Sequence, residues 1–170
     1  MKRFPVLILI LISLAMPAAA KPAVGYSIAP VGEMGANGSF GALNLAFMVS
    51  MESSVHAGDI ELSVNLSPYG RVFQGADLRI STPLFAVTDH PFNTLFPNTM
   101  MWAPKLSVGA LFRMPDDWNV TIGLSPFAFH DTNYVFEFFS PYILYSITHD
   151  KWGWGMYVVR FSYFFGEGGR

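Results

Sequence analysis

The sequence predicts an all-β fold: an antiparallel up-and-down β-barrel of eight strands that crosses a membrane. Three observations carry this. Apolar and polar side chains alternate with period two along most of the chain, the signature of strands with two unlike faces. In the clearest strands every charge sits on the polar phase and none on the apolar phase. Charged residues are only 13% of the 170 residues while aromatics are 16%, a thin coat for a water-soluble sandwich. Past the N-terminal segment no apolar run approaches the eighteen residues that a membrane helix needs. A chain this apolar meets a bilayer as strands closed on themselves, because each backbone polar group must be paired there.

Residues 1–20 read as a cleaved signal peptide. Met1, Lys2 and Arg3 form a basic start, Val6 to Leu14 an apolar core, and Pro17-Ala18-Ala19-Ala20 a small-residue cleavage site. Residues 21–170 are then a single domain, too short for two. The chain has no cysteine, which excludes disulfides, thiol chemistry and lipid attachment at a cysteine. Without the signal, eight Lys and Arg stand against twelve Asp and Glu, a balance that makes nucleic acid an unsuitable partner.

The mature chain divides into eight segments. The first, about Val24 to Pro30, ends in a Gly-rich stretch, Gly32 to Gly38, that reads as a turn. In the second, Leu43, Leu45, Phe47 and Val49 oppose Ala42, Asn44, Ala46 and Met48. The third is the cleanest: Ile60, Leu62, Val64 and Leu66 alternate with Glu61, Ser63, Asn65 and Ser67. The fourth opposes Ala76, Leu78 and Ile80 to Asp77, Arg79 and Ser81. Segments five, Lys105 to Arg113, and six, Trp118 to Phe129, meet at a turn around Pro115 and Asp116 and form a hairpin.

The seventh, Tyr134 to Thr148, loses phase at Phe138 and Phe139, since Glu137 and Ser140 cannot share one face of a regular strand; a bulge restores the count. The eighth, Trp152 to Phe165, follows a turn at His149 to Gly153. Period two puts Tyr157, Phe161, Tyr163 and Phe165 on its outward face, and Trp154, Met156, Val158, Arg160, Ser162 and Phe164 inward. The interval Phe85 to Ala103 is too long for an ordinary connection and rich in aromatics. Trp102, Trp118, Trp152 and Trp154 are expected at the membrane interfaces.

Inside such a barrel, Glu61, Asp77, Arg79, Lys105, Arg113, Glu137 and Arg160 form a lumen charge network. Charges of both signs must pair there, and eight strands leave only room for side chains, so the lumen is a packed network rather than a pore. Arg160 has Glu61, Asp77 and Glu137 as candidate partners.

The signal peptide, the strand count and the last strand together resemble the small eight-stranded outer-membrane barrels of the outer membrane protein W and X kind. The resemblance implies that Tyr157, Phe161, Tyr163 and Phe165 form a signal for the barrel-assembly machinery, and that the chain sits in the bacterial outer membrane with lipid as its surroundings. A structural or adhesive role, or passage of a small apolar ligand, would then be carried by loops. Phe85, Phe92, Phe96 and Trp102 offer a contact surface for a protein of the periplasm or the exterior.

Two chemical readings stand beside this one. His56, His90 and His130 fall at one rim and could ligate a metal, although no ligand spacing supports it. His130, Thr132 and Glu137 faintly resemble the active-site motif of the outer-membrane lipid A deacylases, which implies a lipid-modifying enzyme, with His130 and Thr132 on one strand face toward lipid. The bland reading, polar turn residues with no cofactor and no catalysis, is preferred to both. A soluble periplasmic β-sandwich or lipocalin-like binder is the remaining alternative.

Overall fold

The computed structural model describes residues 21–36, 38–52, 57–67, 72–92, 94–95, 100–131 and 133–165. The proposed signal peptide, His56, Phe96, Thr132 and the segment 166–170 lie outside them. The strands are β1 (Lys21–Gly35), β2 (Gly38–Glu52), β3 (Ala57–Leu66), β4 (Phe73–Pro83), β5 (Met101–Trp102), β6 (Lys105–Arg113), β7 (Asp117–Ser125), β8 (Phe127–His130), β9 (Tyr134–Ser146) and β10 (Lys151–Phe165).

All pairings are antiparallel; β4 pairs with β6, β7 with β9 and β5 with β8, and β10 pairs with both β9 and β1. The sheet therefore closes into an eight-stranded barrel. β5 and β6 are two halves of one barrel strand parted at Pro104, and β7 and β8 are halves of another parted at Pro126. A proline has no N–H to give the ladder, so each marks a break.

Strand direction sorts the connections onto two rims. The strand ends Gly35 and Gly38, Leu66 and Phe73, Arg113 and Asp117, and Ser146 and Lys151 lie at the far rim. Glu52 and Ala57, Pro83, Met101, His130 and Tyr134 lie at the other, together with Lys21 and Phe165.

The two faces are inverted relative to a soluble protein. Buried residues along β7 are Asp117, Asn119, Thr121, Gly123 and Ser125, while Trp118, Val120, Ile122 and Leu124 are exposed. The same holds for Leu43, Leu45 and Phe47 of β2 and Leu62 and Val64 of β3, all exposed and apolar. Aromatics gather at both ends of the outer wall. Near the far rim Phe112 meets Trp118 and Tyr145 meets Trp152, with centroids 4.9 and 5.0 Å apart. Near the terminal rim Tyr26, Tyr163 and Phe165 form a mutual cluster, and Phe136 packs on Phe161 at 5.1 Å.

Three sequence expectations need correction. The Gly-rich stretch is not a turn: β1 runs through Gly32 to Gly35 because Glu33 is buried and bonded inside, and only residues 36–37 connect to β2. The long interval is not wholly a connection either, since Val87 pairs with Trp102 and the Leu84 N–H donates to Pro104 O.

The third concerns β10. Ile28 pairs with Phe161 but Val31 with Tyr157, so β10 carries one extra residue, and Val158 and Val159 are both exposed. The bulge turns Tyr157 inward, away from the face of Phe161, Tyr163 and Phe165, and turns Trp154, Met156 and Val158 away from the lumen. β9 has the matching irregularity at Phe139, whose φ of 50° and 55% exposure leave Glu137 and Ser140 both inside.

Candidate functional site

Among the described residues the buried interior holds six carboxylates, Glu33, Asp59, Glu61, Asp77, Asp117 and Glu137, and four cations, Arg79, Lys105, Arg113 and Arg160. Their pairing is mutual and much of it spans the lumen. Arg113 grips Glu33 in a fork, Nε donating to Oε1 at 2.9 Å and Nη2 to Oε2 at 2.5 Å, and the Tyr142 hydroxyl donates to Oε2 at 2.6 Å. β1 and β6 stand four places apart in a ring of eight, so this fork crosses the full barrel.

Arg79 lies 2.5 Å from Asp77 and donates to the Tyr157 hydroxyl, which itself lies 3.2 Å from the same carboxylate. β4 and β10 are also diametrically opposed. The Arg79 and Arg160 guanidinium carbons lie 4.6 and 4.1 Å from the centroid of the Tyr157 ring. A tyrosine between two cations offers both a π-face and an oxygen, which satisfies charge without another carboxylate.

Toward the terminal rim Lys105 Nζ donates to Asp59 at 2.6 Å and sits 3.7 Å from Glu137. Arg160 donates to Glu61 at 3.0 Å and sits 3.8 Å from Glu137. Ser125 and Ser140 hydroxyls complete Glu137 at 2.8 and 3.4 Å. Asp117, at the far rim, takes the Ser146 hydroxyl in place of a cation. Asn44 bridges Ser63 and Asn65 at 2.8 and 3.1 Å.

Inward glycines make the room. A Cβ on Gly155 would lie 2.3 Å from the Tyr142 ring, and one on Gly109 would lie 2.9 Å from the Thr121 hydroxyl and 3.3 Å from Asp77. Chemically this interior holds opposite walls together by charge-assisted bonds; it presents neither an activated nucleophile nor a bound-phosphate cradle among the described residues.

All seven residues of the sequence-derived network, Glu61, Asp77, Arg79, Lys105, Arg113, Glu137 and Arg160, are buried inside. Of the candidate partners for Arg160, Glu61 and Glu137 are near it, whereas Asp77 pairs with Arg79. Sequence reasoning missed Glu33, Asp59 and Asp117, which sit in stretches read as turns or as strand margins, and Tyr142 and Tyr157, whose hydroxyls give no periodic signal.

His90 and His130 do not converge. His130 pairs in register with Val135, a buried lumen residue, and lies near enough to Lys105, Asp59 and Glu137 to interact with their charges. His90 is buried against Phe129, which faces outward, so the two imidazoles stand on opposite sides of the wall. This separation also corrects the lipid-facing reading of His130: its strand face, like that of Glu137, is the lumen face.

Outside the barrel, Phe92 packs on Trp102, Phe127 and Phe129 at 5.4, 5.8 and 5.7 Å, and Phe85 on Trp102 at 5.3 Å. His90 Nε2 lies 3.1 Å from Met100 O, and Trp102 Nε1 donates to Pro126 O at 2.9 Å. The long segment thus folds back as a strap over the outer wall. Elsewhere on that wall an apolar recess of about 300 Å³ opens between Leu106, Leu124, Ile143 and Trp154, where the β7–β9 ladder stops at Gly123 and Tyr142.

No family model and no curated relative matches the chain. Among solved structures it is similar to the crystal structure of Neisserial surface protein A, with 9% sequence identity, a TM-score of 0.52, and coverage of 86% of this chain and 99% of that one. The likeness is one of fold alone, a closed, eight-stranded antiparallel barrel.

Proposed function

We propose that this chain is a structural protein of the bacterial outer membrane, a small barrel that stands in the bilayer as a closed, non-conducting body. The observation that carries the reading is the inversion of its faces: charge buried and paired inside, apolar side chains exposed outside between two aromatic zones. In water such an exterior is untenable over so large an area, whereas a lipid-facing apolar band with aromatic girdles is how strands cross a bilayer. The fold neighbour supports the same class.

Adhesion and passage fit less well. Far-rim turns at 114–116 and 147–150 give little reach for a partner, and the cross-lumen pairs occupy the space a pore would need. Envelope fractionation of cells expressing the chain, followed by gel mobility of heated and unheated samples, tests the proposal. The protein is expected in the outer-membrane fraction, soluble only with detergent, and shifted in mobility on heating. A detergent-free soluble pool with no heat shift would refute it.

A further inference from the structure

We infer that the strap at the terminal rim, formed by Leu84 to Phe92 together with Leu95, is seated in the lipid leaflet on that side and extends the lipid-facing surface of the barrel beyond its wall. The inference rests on the membrane reading above. Sequence alone had offered this segment as a surface for a protein partner.

Three observations point to lipid instead. Most exposed side chains of the strap are apolar: Leu84 is 53% exposed, Phe85 49%, Val87 37% and Leu95 76%, with Ala86 and Pro91 beside them, and Thr88 and Asp89 are its exposed polar residues. From Leu84 to Leu95 the sequence has one charged residue, Asp89. A segment lying in water, or under a soluble partner, would normally mix charge with such residues.

Next, the strap continues the outer aromatic surface without a break. Phe92 meets Phe129 at 5.7 Å, Phe129 meets Phe138 at 6.4 Å, Phe138 stacks with Phe136 at 6.5 Å, and Phe136 meets Phe161 at 5.1 Å. One row of rings runs from the strap over β8 and β9 to β10, at the height of the terminal-rim girdle.

Last, several of the strap's backbone and ring polar groups are bonded to the protein itself. Leu84 N–H donates to Pro104 O, the Val87 N–H to Trp102 O, and the Leu95 N–H to Phe92 O. His90 Nε2 bonds to Met100 O, and the Trp102 indole N–H to Pro126 O. A protein-docking surface offers roughly one hydrogen bond per 100–200 Å² to its partner. Non-barrel backbone survives at membrane depth only when its polar groups are paired within the protein, and the Leu84, Val87 and Leu95 N–H groups are paired in that way.

The chain's lack of cysteine allows a direct test. Single variants Leu95→Cys, Leu84→Cys, Leu62→Cys and His149→Cys are labelled with a polarity-sensitive fluorophore and refolded into phosphatidylcholine vesicles. Each is quenched by nitroxide-labelled phosphatidylcholine or by aqueous iodide. Leu62 reports the outer wall and His149 a far-rim turn.

Labels at 95, 84 and 62 are expected to be quenched several-fold more by the nitroxide lipid than by iodide, and the label at 149 the reverse. If 62 reports lipid while 95 and 84 report water, the strap inference falls and the membrane reading stands. If 62 itself reports water, both fall. A strap label shielded from both quenchers means a second copy covers it, which also overturns the inference.

Discussion

Replacing Glu33 by Gln tests the closed lumen at a bridge between diametrically opposed strands. The substitution keeps shape and volume but removes the negative charge to which the Arg113 guanidinium, 5% exposed, is bound at 2.9 and 2.5 Å. Removing one member of a buried pair costs about 3–5 kcal/mol because the other charge stays buried and uncompensated. At 1.4 kcal/mol per decade this lowers the folded-to-unfolded ratio by about two to three and a half orders of magnitude.

The measurement is urea unfolding of the refolded protein in detergent micelles, followed by tryptophan fluorescence and by the heat-sensitive gel band. The double variant Glu33→Gln/Arg113→Met separates the loss of a pair from the burial of a lone charge. It removes the stranded cation and is expected to be more stable than Glu33→Gln alone, since apolar replacement of a buried pair is often close to neutral. A loss below about 1 kcal/mol for Glu33→Gln, the range of exposed pairs, would mean that the rim is wet and the fork does not hold the walls together.

Three further outcomes are expected. Arg160→Leu strands Glu61 and removes the second cation from the Tyr157 ring; a loss of about 3–5 kcal/mol by the same urea assay is expected, and a loss under about 1 kcal/mol would count against a buried Arg160. Gly155→Ala sets a methyl 2.3 Å from the Tyr142 ring, so it should cost about 1–3 kcal/mol by overpacking and much less in a Tyr142→Leu background; equal cost in both backgrounds would remove the packing argument. Wild-type protein in a planar bilayer should give no stepwise ion conductance, and steady channel openings would contradict a lumen filled by Arg79, Arg113 and Arg160.

Much of the barrel was legible because the period of a strand is short and its two faces here differ sharply. β3, with Glu61, Ser63 and Asn65 against Ile60, Leu62 and Val64, needs only a few residues to declare itself, and the turn at Pro115 pairs β6 with β7. What periodicity cannot supply is a change of phase. Val158 and Val159 are both apolar, so the extra residue in β10 leaves no mark in the pattern, and the error passes to every residue N-terminal of it: Tyr157 is placed outside, and Trp154 and Met156 inside. β9 was readable in the same respect because its extra residue falls between Glu137 and Ser140, whose polarity betrays the broken count.

The site follows the same logic one level up. Residues whose charge lies on a clean alternating strand, such as Arg79 or Lys105, could be assigned to the interior from sequence, but their partners depend on which strands face each other across the ring. Glu33 meets Arg113 eighty positions away because β1 and β6 are opposed in a closed ring of eight. In an open sheet the same two residues would face the same solvent and have no reason to meet. Closure therefore makes Glu33 a structural residue, although its Gly-rich surroundings resemble a turn. It also explains the glycines: bridges this long fit only where Gly155 and Gly109 leave the wall bare beneath Tyr142 and Asp77. Charge, glycine and aromatic content thus answer to one constraint, the need to fill a narrow polar bore while the outer wall stays apolar.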